Sequence, residues 1–158
     1  MAKYLISIMA ALLALCSCST NVVYDQFVTM PQGGWPADSL AVFRTEIQDT
    51  TVAYDIYFQV RNNNDYAYSN LWLFVDIVAP DGHMQRDTLE CLLADPDGTW
   101  RGGGWGSLYT EKCPYKLGCQ FIQSGPYTFR IVHGMRADQL EGIQNVGLLI
   151  ERSQIHNQ

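Results

Sequence analysis

Basic residues are scarce in this chain. Lys and Arg number 10 against 16 Asp and Glu, a formal charge of −6, and no stretch gathers the cations into a cluster. Phosphate backbones demand such a patch, so nucleic acid is excluded as a partner. The same acidity argues against the domain surface adhering to anionic lipid. Long apolar runs are missing too: the longest, Tyr4 to Leu15, is about a dozen residues and falls short of the roughly 20 that cross a bilayer. Histidine is rare, with His83, His133 and His156 scattered. No HExxH, CxxC or spaced His cluster exists, so metal catalysis has no ligand set. Ser107 lacks the Gly-x-Ser-x-Gly elbow, and Gly102-Gly103-Gly104 is not followed by the Gly-Lys-Ser/Thr of a phosphate loop. Asp95 and Asp97 flank a turn and could ligate calcium weakly, but the alternation of an EF-hand loop is absent. Nothing in these residues calls for an enzyme, a metal or another cofactor.

What is there begins with a leader. One cation, Lys3, precedes the apolar run, and Cys16-Ser17-Cys18 follows it. A basic head, a short apolar stretch and a small-residue boundary read as a secretory signal. Leu15-Cys16-Ser17-Cys18 resembles a bacterial lipoprotein signal, with Leu at −3, a small residue at −1 and Cys at +1. The alternative at Cys16 fits poorly because Leu15 is too large for the −1 position. Residues 1–17 are therefore expected to be a lipoprotein signal peptide and Cys18 the lipidated N-terminus, with a plain secreted protein as the alternative. Several acyl chains at about 0.8 kcal/mol per buried methylene hold a domain firmly on a membrane. Residues 18–34 then form the lipidated N-terminus and a tether or first strand, residues 35–152 the folded domain, and residues 153–158 a tail. About 140 residues suffice for one domain with a proper core.

An exported chain permits disulfides. Cys113 and Cys119 would close a small loop, leaving Cys91 free, and the alternative is that all three are buried thiols packing like small hydrophobes.

The apolar period is mostly two. Val52, Tyr54, Ile56, Phe58 and Val60 share one face of a strand that the turn Asn62-Asn63-Asn64-Asp65 ends. Leu71 to Val78 is apolar on both faces except at Asp76 and stops at Pro80-Asp81-Gly82. Residues 54–61 and 71–78 are expected to be antiparallel neighbours. Met84–Leu93, Tyr127–His133, Val146–Glu151 and Leu40–Ile47 supply further strands, the first of them closing a meander, and only Ala137 to Ile143 has a helical look. The expected fold is all-β: a single β-sandwich of about 7–9 mostly antiparallel strands, immunoglobulin-like or jelly-roll. Asp76 is a candidate buried carboxylate, for which Arg61 or Arg130 is the expected partner.

Trp100-Arg101-Gly102-Gly103-Gly104-Trp105 is the oddest stretch. Trp100 and Trp105, beside Tyr109, read either as a stacking platform for a sugar or a partner surface, or as rings plugging a bent edge.

Specific blocks carry a family resemblance. The leader ending at Cys18, the run from Val60 to Phe74, the block Leu92 to Gly102, and Gly134 to Ile143 followed by Val146-Gly147-Leu148 resemble the gliding motility-associated lipoprotein GldH family of the Bacteroidota. The resemblance covers essentially the whole mature domain. It implies a non-enzymatic lipoprotein held on the periplasmic face of the outer membrane. Its partners would be envelope proteins of the gliding or type IX secretion apparatus, with a small-molecule ligand not expected. It implies no catalytic residue. Its family-type positions fall here on Arg61, Asn62, Tyr66, Tyr68, Asn70 and Trp72, on Trp100 with Gly102, and on Met135-Arg136. The first six are expected to scaffold a long hairpin loop. A carbohydrate-binding sandwich using the Trp100/Trp105 loop is the alternative function.

Overall fold

A strand whose residues alternate apolar and polar can bury one face and wet the other. The computed structural model describes residues 21–154. The expected signal peptide, Cys16, Cys18 and His156 lie outside the described residues.

β1 (Val22–Thr29), β11 (Ile143–Arg152), β4 (Tyr54–Asn62), β8 (Leu108–Cys119) and β7 (Gly103–Trp105) lie side by side in that order in one sheet. A second sheet is ordered β3 (Ala41–Ile47), β9 (Gly125–His133), β5 (Asn70–Val78) and β6 (Met84–Leu92). A short ribbon pairs β2 (Trp35–Pro36) with β10 (Gln139–Leu140). Every strand pairing among the described residues is antiparallel.

The two larger sheets bury their facing rows in one core. β4 contributes Ile56, Phe58 and Val60, β5 contributes Leu71, Leu73 and Val75, and β9 contributes Phe129 and Ile131. Each is essentially excluded from solvent. Full burial of such a side chain stabilises by about 1.5–3 kcal/mol, so these rows dominate the fold. Trp35 closes one end of the core, fully buried, its indole N–H donating to the Ser39 carbonyl at 2.8 Å.

The architecture is thus all-β and sandwich-like, but the described residues hold eleven strands in three sheets rather than 7–9 in a single sandwich. β2, β7 and β10 are two or three residues long, too short to show a period. Residues 54–61 and 71–78 are not neighbours. β4 and β5 sit in different sheets, because the connection between them carries the chain across the core. Ala137–Ile143 holds β10 and a turn instead of a helix. Gly142 makes that turn at φ +82°, and a Cβ there would lie 2.2 Å from the Tyr66 nitrogen. Only glycine fits so close an approach with positive φ.

Asp76 also departs from expectation. Its carboxylate accepts from Arg86 Nε at 2.6 Å and Nη2 at 2.7 Å, a bidentate pair between cross-strand neighbours of β5 and β6. The Arg86 hydrogen bonds hold this carboxyl below its ordinary range, and Arg130 on the other flank assists by charge alone. Arg61 belongs to the other sheet, where its guanidinium lies 3.8 Å from the Phe27 ring centre.

One buried polar group stands out. His133 is 4% exposed, meets the Trp35 ring edge-on at 5.4 Å, and neither ring nitrogen has a hydrogen-bond partner of good geometry. Burial lowers its pKa, with the Trp35 backbone offsetting part of the effect. The folded chain therefore resists protonation that the unfolded chain accepts below about pH 6.5. Stability should be full above that value and decline as pH falls through the window beneath it. Chemical denaturation between about pH 7 and about pH 5.5 should show this decline, flattened in His133→Phe. An equal slope in that variant would assign the effect elsewhere.

Candidate functional site

The family-type positions gather at one end of the sandwich. β4 ends at Asn62, and the chain turns where Asp65 N donates to Asn63 Oδ1 at 2.9 Å and Asn63 Nδ2 returns to Asp65 Oδ2 at 2.9 Å. Asn62 is buried and reaches only the neighbouring Asn63 carbonyl, at 3.4 Å. Tyr66 is buried behind this turn and its hydroxyl donates to the Asn70 carbonyl at 2.7 Å. Burial pushes the Tyr66 phenol well above its ordinary range, so it stays a neutral donor. Tyr68 packs edge-on against it at 5.6 Å yet remains exposed. Asn70 Nδ2 donates to Glu90 on β6 at 2.6 Å. Arg61 and Trp72 stand apart from this knot, on the outer faces of the two sheets. Trp72 is partly exposed there, and its backbone N–H points to Met135 Sδ at 3.4 Å. The segment is a crossover between sheets, so the expected hairpin loop does not exist.

The tryptophan stretch lies at the same end, since β8 begins where β4 stops and Tyr109 pairs with Asn62. Trp100 is half-buried, its indole N–H donates to Asn64 Oδ1 at 3.0 Å, and its ring packs on Tyr109 at 5.9 Å. Trp105 is 94% exposed at the tip of the β7–β8 hairpin, opposite Leu108. Directly paired residues share a face and the next pair along points the other way. Trp105 and Leu108 therefore project from one face of the hairpin, while Tyr109 and the Trp100 ring stacked on it occupy the other. The three rings do not assemble into one platform, which removes the geometry a sugar-stacking site needs.

Asn64 and Leu108 join the site without belonging to the family-type positions. Leu108 was legible as the partner of Trp105 across the two-residue Gly106-Ser107 turn. Asn64 had no signal apart from its turn.

The opposite end holds the start of β1, where Val22 pairs with Glu151. Here the β5–β6 turn meets the β8–β9 loop, Gln123 Nε2 donating to Asp81 at 2.9 Å. A shallow apolar cleft of about 270 Å3, lined by Ile56, Ile77, Phe121 and Tyr127, opens beside the exposed Ile122. Cys119 also lies here, and the expected Cys113–Cys119 bridge is not formed: the structure holds Cys91, Cys113 and Cys119 in the reduced form. Cys113 and Cys119 occupy one extended strand and pair with Phe58 and Tyr54. The four residue steps of β4 between those partners span about 13 Å, against the 4.4–6.8 Å that a bridge requires between Cα atoms. Among the described residues no cluster of three metal-ligating side chains occurs, and Asp97 instead accepts from the Thr99 backbone at 2.9 Å.

A family model described as GldH lipoprotein matches residues 22–150, from the first strand into the last. The chain belongs to the GldH lipoprotein family. It is 40% identical over 144 residues to the "Gliding motility lipoprotein GldH homolog" of Christiangramia forsetii, covering 87% of this chain and 88% of that one. It is 35% identical over 154 residues to the "Gliding motility lipoprotein GldH" of Flavobacterium johnsoniae, covering 93% and 94%. Among solved structures, a family 35 carbohydrate binding module from an environmental isolate aligns over 87% of this chain and 94% of its own. Its TM-score is 0.32 at 14% identity. A likeness that loose carries no functional weight. This GldH-family chain has no catalytic constellation among its described residues.

The two tryptophans should respond differently to truncation. Trp100→Ala removes a packed ring and strands Asn64, and should cost about 2 kcal/mol, whereas Trp105→Ala should change stability by less than about 0.5 kcal/mol. Urea denaturation of both variants reads the difference, and similar losses would contradict the placement of Trp105.

Proposed function

We propose that this chain is a non-enzymatic, lipid-anchored cell-envelope protein that docks other envelope proteins with the end of the sandwich remote from its anchor. Its family membership links it to gliding motility and the type IX secretion machinery, and the docked components belong to that apparatus. Cys18 is the lipidated residue, and the domain sits on the periplasmic face of the outer membrane. Four residue steps separate Cys18 from Val22 and span at most about 14 Å. That reach holds the β1 end close to the bilayer and presents the other end to the periplasm.

The observation that carries this reading is Trp105, 94% exposed at the tip of the β7–β8 hairpin at the remote end. Trp105 and Leu108 at the hairpin tip, and Tyr68 and Leu92 at the same end of the sandwich, are solvent-exposed. Aromatic anchors ringed by polar groups are what protein interfaces concentrate.

Mild crosslinking and purification from the native membrane test it. Wild-type protein should recover envelope proteins, and Trp105→Ser with Leu108→Ser should reduce recovery about tenfold or more at unchanged abundance. Equal recovery by the double variant sinks the docking end. Separately, Cys18→Ala should leave the protein as precursor or release it from the membrane, and an unmodified N-terminus downstream of Cys18 would end the anchor assignment.

A further inference from the structure

β6 and β8 face each other along one side of the sandwich, from different sheets. Asp87 on β6 ties this seam by accepting from the Tyr115 hydroxyl and from Lys116 Nζ, the latter at 3.1 Å. Further along the seam, past Leu89 on β6, come Cys91 of β6 and Cys113 of β8. Both are buried, at 1% and 4% exposure, both belong to the core, and both line the same small cavity of about 160 Å3. They pair in register with Leu71 and Phe58, two residues whose side chains also point into the core. Two thiols on facing strands, turned inward, within hydrogen-bond reach of each other and lining one cavity, are neighbours across the seam, whereas Cys113 and Cys119 on one strand are held apart.

We propose that Cys91 and Cys113 form a disulfide joining the two sheets, and that Cys119 remains the free thiol. Closure is a thiol–disulfide exchange with an oxidised dithiol carrier of the envelope, and so rests on the location argued above. One cysteine thiolate attacks the carrier disulfide and releases the first carrier thiol. The second cysteine attacks the mixed disulfide, forms the Cys91–Cys113 bond and releases the second. The two thiol protons and two electrons of the pair end on the carrier, which is reduced.

Closure happens before the seam is buried. In the folded chain the hydrogen bond with Cys113, then burial, hold the Cys91 thiol protonated, and the carboxylates of Glu90 and Glu111 add to this. A protonated, enclosed thiol exchanges slowly, and the same enclosure keeps a reductant from the finished bond.

The test uses mature protein extracted from the membrane after alkylation of free thiols. Peptide mapping without reductant should return Cys91 joined to Cys113, with Cys119 alone alkylated. Adding reductant under native conditions should lower the melting temperature little, and reducing the unfolded chain before refolding in reductant should lower it by about 10 °C. Alkylation of both Cys91 and Cys113 without reductant overturns the proposal, as does a bridge to Cys119. A second arm refolds the purified full chain in a mixture of oxidised and reduced glutathione, where the same bridge should form whatever the compartment. Its absence there also overturns the proposal. Fractionation of the same cells reports the envelope location independently, so failure of that reading is distinguishable from failure of the bridge. Replacing both cysteines with valine keeps the core filled, and this variant should melt at the temperature of the reduced protein.

Discussion

The row Ile56–Phe58–Val60 on β4, buried against the inward rows of β5 and β9, is the constraint from which the other placements follow. β4 holds β11 on one side and β8 on the other, so its register fixes theirs. A one-residue slip would turn this row to solvent and bring Tyr57, Gln59 and Arg61 inward. At about 1.5–3 kcal/mol for each apolar side chain, the loss would exceed the stability of an ordinary domain. The outer face of the same sheet is accordingly free to be polar, and carries Lys112 between the Tyr57 ring and Glu151, and Gln59 against Asp25.

Because β8 is pinned along β4, its start projects the β7–β8 hairpin from one end of the sandwich and its end delivers the Phe121 loop to the other. The molecule is thereby polar along its strands. The anchor-side end is closed by turns, and the remote end carries the Tyr66 knot, the buried Trp35 and the exposed Trp105. An anchored docking protein needs this separation, since a partner surface facing the headgroups would be occluded. Neither end brings ionisable groups together in the way that a reaction would require.

Much of the sheet structure was legible from the period of two. The strands around Ile56 and Phe129 follow their alternation, and those around Leu73, Leu148 and Phe43 also lie where the sequence reading expects them. β8 did not. Its inward Cys113 is followed by Pro114, Lys116 and Gly118, and register shifts opposite Tyr54, Ile56 and Tyr57 break the alternation that would have revealed it. Missing β8 also made a Cys113–Cys119 bridge look feasible, because a loop brings the two together and a strand holds them apart. Strand partners were equally hidden: β4 and β5 have inward rows of the same kind, which suits facing across a core as well as pairing within a sheet. The candidate site was legible as a set of residues and not as an arrangement. Trp100 and Trp105 are five positions apart, and which of them is exposed depends on a hairpin fold and an Asn64 contact made across 36 residues.

The central claim is that one end of this domain faces the membrane and the other a protein partner. Photo-crosslinkers placed singly at Tyr68, Trp105, Leu117 and Ile122 in living cells test it most directly, because all four positions are exposed and the pairs lie at opposite ends. Tyr68 and Trp105 should give adducts with envelope proteins, and Leu117 and Ile122 should give adducts with lipid or none. Protein adducts confined to Leu117 and Ile122 would contradict the account.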